Sequence, residues 1–159
     1  MTYVIQVQSG RETDIVNDVI RDGISASAPR QLIHIRKGGV WKEHIKVIFG
    51  GYVFIHETYS AELFHRIKAV SGVIRFLGDP SPIAEHEAEM IAWLSNNGEI
   101  IEPSEVRINS DGSVTVCSGF LKNCEDKIKR FNLRQRKASV EISFAGKIHR
   151  ANLGITISE

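Results

Sequence analysis

The chain is 159 residues long, with 42% apolar and 25% charged side chains. That is the composition of a folded globular protein, long enough for one ordinary domain or two small ones. The net charge of +1 conceals an asymmetry: residues 1–104 hold 10 basic and 13 acidic side chains, residues 105–159 hold 10 and 6. A basic second part is the electrostatic signature of a nucleic-acid-facing region. No apolar run approaches the ~20 residues of a membrane span. The start, Met1-Thr2-Tyr3-Val4-Ile5-Gln6-Val7, lacks the basic and long apolar segments of a signal peptide. Two cysteines, Cys117 and Cys124, make no disulfide framework, and a reducing cytoplasm is the expected setting.

Residues 2–8 alternate as a strand. Ser9-Gly10 breaks it, and Ile15, Val16, Val19 and Ile20 form the stripe of an amphipathic helix over 11–22, closed by Gly23. Residues 32–36 and 40–48 pair as strands across Lys37-Gly38-Gly39. Tyr52-Val53-Phe54-Ile55-His56 is a β-prone central strand. Ser60 caps a helix whose stripe is Leu63, Phe64, Ile67 and Val70. Residues 73–78 form a further strand, Pro80 and Pro82 a rigid loop, and residues 84–95 a third helix that Asn96-Asn97-Gly98 stops. This order predicts an α+β domain over 1–95, with helices on a mostly antiparallel sheet.

Residues 96–104 read as a linker. Beyond it come short strands near 106–108, 114–117, 128–133, 138–144 and 148–157, with turns at Ser110-Asp111-Gly112, Ser118-Gly119 and Ala145-Gly146. That spacing predicts a small all-β barrel over 105–159. There is no solenoid repeat and no low-complexity tract.

Nothing points to catalysis: GxSxG, HExxH and P-loop patterns are absent. His86 among Glu85, Glu87 and Glu89 reads as a solvated helix face. Cys117 and Cys124 are too far apart for a zinc pair, and His34, His44, His56, His65 and His149 have no ligand spacing. No metal or cofactor is expected. Two other groupings stand out. Tyr3, Phe49, Tyr52 and Phe54 lie on strands that would be neighbours, with Gly50-Gly51 beside them. They suit ordinary core and a groove for a partner's helix equally well. Between residues 120 and 150, nine cations face three acids. Lys122, Lys127, Lys129, Arg130, Arg134, Arg136 and Lys137, with Asn123 and Phe120 interleaved, suit phosphate contacts better than a plain solvated surface. Read as strand residues, Lys127 and Lys129 share a face, as do Arg134 and Arg136. Phe131 reads as core.

Several of these segments resemble the NusG family of transcription elongation factors. Val47-Ile48-Phe49-Gly50-Gly51-Tyr52-Val53-Phe54-Ile55 resembles its FPGYVFV strand, and Val70-Ser71-Gly72-Val73-Ile74-Arg75-Phe76-Leu77-Gly78 its following turn and strand. Asp79-Pro80-Ser81-Pro82-Ile83 resembles the loop before its last helix, and Ser9-Gly10-Arg11-Glu12 its first helix start. Val114-Thr115-Val116-Cys117-Ser118-Gly119-Phe120-Leu121 is similar to the start of the KOW motif. Gly50 and Phe120 stand where the family has prolines, and Asn123 about where it has a glycine. These departures resemble a specialised paralogue of the RfaH or LoaP antiterminator type, with the basic barrel closer to LoaP.

The resemblance implies an NGN domain over 1–95 and an SH3-like KOW barrel over 105–159. It implies RNA polymerase as partner, with Tyr3, Phe49, Tyr52 and Phe54 on the β′ clamp helices and His65 on the β gate loop. It further implies a nascent RNA hairpin on Lys122, Asn123, Lys127, Lys129, Arg130, Arg134, Arg136 and Lys137. Contact with non-template DNA, a monomeric state and no membrane association complete the expectation. The alternative is a general factor whose barrel binds Rho or a ribosomal protein.

Overall fold

A computed structural model describes residues 1–78, 81–122 and 124–158. The elements run β1 (Thr2–Val7), α1 (Glu12–Arg21), β2 (Ala26–Ser27), β3 (Arg30–Lys37), β4 (Val40–Val47), β5 (Tyr52–His56), α2 (Ala61–Lys68), β6 (Val73–Phe76) and α3 (Glu85–Ser95). They continue as β7 (Ser104–Ile108), β8 (Val114–Ser118), β9 (Ile128–Asn132), β10 (Lys137–Phe144) and β11 (Lys147–Ser158). Short 3-10 turns occupy Asn96–Gly98 and Glu125–Lys127. The chain divides into two compact units. The first is Met1–Pro29, Phe49–Gly98 and Ser143–Lys147; the second is Arg30–Ile48, Glu99–Ile142 and Ile148–Glu159.

The first unit is built on a four-stranded sheet in the order β2-β5-β1-β6, with every pairing antiparallel. The two-residue period sorts its side chains. Tyr3, Ile5 and Val7 of β1 and Val53 and Ile55 of β5 join Ile15 and Val19 of α1 and Leu63 and Ile67 of α2 in one core. The other face carries Val4 opposite Phe54 and Gln6 opposite Tyr52. Arg11 offers α1 no side-chain cap, but the buried Glu12 carboxylate accepts hydrogen bonds from Gly10 N at 2.8 Å and Gly51 N at 2.9 Å. Ser60 Oγ accepts from Leu63 N at 3.0 Å and starts α2. Asn96 and Asn97, both left-handed, end α3.

The second unit holds a five-stranded sheet in the order β8-β7-β11-β10-β9. β7 and β11 are parallel; β7–β8 and β9–β10 are antiparallel. Alternate residues Ala138, Val140 and Ile142 are buried together with Val106, Val116, Ala151, Leu153 and Ile155. The sheet is curled, as a KOW or SH3-like barrel requires, but β8 and β9 remain its two edges and the expected barrel is not closed.

The same unit contains the β3–β4 hairpin, paired in full from Arg30↔Val47 to Lys37↔Val40 around Gly38 and Gly39, both at positive φ. The buried Gln31 side chain fixes it. Its Nε2 donates to the Asn152 carbonyl at 2.8 Å, and its Oε1 accepts from Gly154 N at 3.0 Å. Ile101, in the stretch read as a linker, is buried and bridges to Gln31: its N–H donates to Arg30 O and its carbonyl accepts from Leu32 N. Ser104 is buried too.

Grouping by compactness sharpens the charge pattern. The second unit carries 14 basic and nine acidic side chains, the first six and ten. The hairpin segment alone brings five basic residues against Glu43. Among the described residues no helix is long and apolar enough to cross a membrane.

Candidate functional site

Phe49, Tyr52 and Phe54 come together on the sheet face turned away from α1 and α2. Strand alternation directs Tyr52 and Phe54 to that face, and the Phe49-Gly50-Gly51 turn leading into β5 folds Phe49 beside them, 6.1 Å from Phe54 between ring centroids. Tyr52 is half-buried; Phe49 and Phe54 are buried. Phe144, from the Ser143–Lys147 segment of the same unit, is the fourth member. Its ring lies 5.2 Å from Phe49, 5.4 Å from Tyr52 and 5.3 Å from Phe54, near-perpendicular to each. Edge-to-face pairs of this kind contribute about 0.5–1.5 kcal/mol each beyond the area they bury. The positive φ of Ala145 and Gly146 makes the tight turn that follows Phe144. Sequence reasoning missed Phe144; the available signal was an aromatic immediately before an Ala-Gly turn.

Tyr3 does not join this cluster. It points into the helix-side core, 5.9 Å from Tyr59 and 6.5 Å from Phe76. One residue of strand register separates it from Val4, and that sends it to the opposite face. His65 is exposed on α2, its ring 5.6 Å from Phe64, which stacks on Phe76 at 5.3 Å. The predicted residues therefore divide into Phe49, Tyr52 and Phe54 on one face and Tyr3 on the other, with His65 on the outer side of α2.

Among the basic residues, Lys129 and Arg130 are exposed on β9, the former at a bulge where the pairing skips from Arg130 to Ile128. Lys127 ends a 3-10 turn, so strand alternation does not apply between it and Lys129. Arg134 and Arg136 also lie outside any strand. Asn132 Oδ1 accepts from Gln135 N at 3.1 Å and Leu133 O accepts from Arg136 N at 3.3 Å, closing a turn between β9 and β10. Arg136 is left-handed there, at φ 56°. Lys122 is engaged locally: its Nζ donates to Val116 O at 3.1 Å and stands 3.9 Å from the Glu125 carboxylate. Lys137 opens β10. Asn123 lies outside the described residues.

Trp41 is a second feature that sequence reasoning missed. The Arg136 guanidinium sits 4.0 Å from its ring centroid and that of Arg36 6.0 Å away. The hint was a tryptophan flanked by Arg36, Lys37 and Lys42 on a hairpin. Among the described residues no group of three or more His, Cys, Asp or Glu side chains is placed to hold a metal ion. His56 is held neutral instead. Burial lowers its pKa from the usual 6.5, the N-terminal ammonium adds to this, and Glu57 opposes it. Its ring nitrogens meet Thr2 Oγ1 at 3.2 Å and Ser27 Oγ at 2.8 Å.

A family model described as "Transcription termination factor nusG" matches residues 3–92, more than half of the chain. The transcription termination/antitermination protein NusG of Helicobacter pylori is 25% identical, over 91% of this chain and 89% of its own length. The corresponding protein of Campylobacter jejuni is 23% identical, over 91% and 88%. A solved structure described as domain interaction in Thermotoga maritima NusG shares the fold, at a TM-score of 0.53 and 20% identity, covering 97% of this chain and 93% of that one.

Proposed function

The chain belongs to the NusG family of transcription termination/antitermination factors, which are not enzymes, and on that premise we propose that it is a cytoplasmic antitermination factor of the LoaP type. It docks on RNA polymerase through residues 1–95 and binds a nascent RNA hairpin through the basic side chains of residues 105–159, suppressing pausing and termination. One observation carries the polymerase half: Phe49, Tyr52 and Phe54 form an aromatic socket that accepts an aromatic side chain, now Phe144. A partner helix presenting an apolar side chain, as the β′ clamp helices would, fits the same socket once Phe144 leaves it. Tyr3 supports the sheet beneath, and His65 is left for the β gate loop. Holding β′ and β together would favour the elongating state by differential affinity.

Binding of the full chain to RNA polymerase tests this. Tyr52→Ala removes a wall of the socket and lowers recovery in a pull-down. Phe144→Ala removes the internal competitor and raises it. Unchanged recovery with both variants overturns the socket as the docking site. The RNA half is supported by the 14 basic side chains of the second unit. The NusG relatives in two bacteria favour a second reading, in which residues 105–159 bind Rho or a ribosomal protein without RNA specificity. A filter titration of the full chain with a panel of RNA hairpins separates the two: equal affinity for every hairpin, or none, favours the general factor.

A further inference from the structure

The hairpin β3–β4 and the β9–β10 turn, both in the second unit, enclose a cleft of about 510 Å³. Its walls are His34, Ile35, Arg36 and Trp41 from the hairpin and Arg134, Gln135 and Lys137 from the turn and the first residue of β10. That volume is in the range of small-ligand sites, about 300–1,000 Å³. Three of the seven wall residues are cationic and none is acidic. The Glu43 carboxylate, 3.8 Å from His34 Nε2, is 69% exposed and is not among the wall residues. Trp41 is half-buried, with the Arg136 guanidinium lying over its ring.

We propose that this cleft binds an unpaired nucleotide of RNA, with Trp41 as the stacking platform and Arg36, Arg134 and Lys137 as the phosphate contacts. The proposal rests on the RNA reading above and deepens it, because half of the site comes from a hairpin that precedes residue 50. An indole offers a face to a base only where that base is unstacked, in a loop, bulge or single strand. A planar guanidinium on the ring shows that a flat π-system or cation fits there. The base takes the place of Arg136, and the displaced guanidinium turns to the flanking phosphate. The turn holds Arg136 where this exchange can occur: its N–H donates to Leu133 O, and its carbonyl accepts from Ile155 N at 3.0 Å. Two further polar groups in the wall, Gln135 and His34, offer hydrogen-bond partners for a 2′-hydroxyl. An acidic peptide would satisfy the cations but leave the indole without a planar partner.

The test uses the full chain with a fluorescein-labelled 12-nucleotide single-stranded RNA, a blunt RNA duplex, and a DNA 12-mer of the same sequence, read by anisotropy. Trp41 emission is followed in a Trp93→Phe background. The expected result is that single-stranded RNA binds more tightly than the duplex and quenches Trp41 saturably. Trp41→Ala then weakens binding by roughly fivefold to a hundredfold, the range of one lost stacking contact. Arg36→Glu weakens it as well, while both variants keep the parent melting transition. RNA binding that Trp41→Ala and Arg36→Glu leave unchanged overturns the cleft while the RNA reading stands. Absence of binding to any RNA overturns that reading itself. Binding of DNA as tight as or tighter than that of RNA overturns the assignment to RNA.

Discussion

His56 shows at the scale of one residue how a sequence conceals its own chemistry. It stands in a β-prone run like any strand residue, and its spacing rules out only a metal role. Folding half-buries it between Thr2 and Ser27, 54 and 29 positions away. Burial disfavours the imidazolium, so the folded pKa lies below 6.5. The unfolded chain then takes up a proton before the folded one does. Stability from the neutral ring is complete above about pH 6.5 and falls as pH drops from there toward the folded pKa. Thermal melts at pH 7.5 and 5.5 should show a larger loss for the parent than for His56→Gln. Equal losses would show that His56 does not set this dependence. Glu12 was illegible for the same reason. Its place in the SGRE start was read from sequence, but its acceptor role for Gly51, 39 residues away, exists only in the fold.

At the scale of elements, strong local signals read correctly and compensated local rules did not. Ser60, Gly38-Gly39 and Asn96-Asn97 carry backbone chemistry that needs no tertiary help, so the α2 start, the β3–β4 turn and the α3 end were legible. Leu133–Arg136 misled, because the left-handed position in that turn is filled by an arginine rather than by glycine or asparagine. The stretch 96–104 reads as a linker from its composition, and what composition does not show is that Ile101 within it is held through both of its backbone groups. Gly154 tests how closely the hairpin and β11 must meet. A Cβ there would stand 3.2 Å from the Leu32 carbonyl oxygen and 3.4 Å from Ile33 Cγ2. Gly154→Ala must push this backbone apart and strain the Gln31 bridge, and overpacking of this kind costs about 1–3 kcal/mol. Urea unfolding should show that loss. A variant as stable as the parent would mean that the hairpin shifts freely.

For the whole molecule, the informative quantity is where charge accumulates. Cutting the sequence at residue 104 gives net charges of −3 and +4, and this sufficed to suggest a nucleic-acid-facing part. The compact units give −4 and +5: residues 30–48 bring net +4 to the basic unit although they precede residue 50, offset by Glu99 and Glu102 joining it and Lys147 leaving it. A linear reading assigns the hairpin to the N-terminal domain by order. The Gln31 and Ile101 hydrogen bonds tie the hairpin to the basic unit. Not every cation in the basic unit is equally available. Lys122 is already engaged by Val116 and Glu125, whereas Arg134 is exposed and Arg136 rests on an aromatic ring. The salt dependence of RNA affinity distinguishes them, because each phosphate contact contributes about 0.7–0.9 to the slope of log K against log salt. Arg134→Ala with Arg136→Ala should flatten that slope by up to about 1.4–1.8 if each makes one contact. Lys122→Ala should leave it near the parent value, since its ammonium remains committed to the protein. Equal flattening in the two variants would mean that RNA samples the basic surface without preference, and that the β9–β10 turn has no special place in binding.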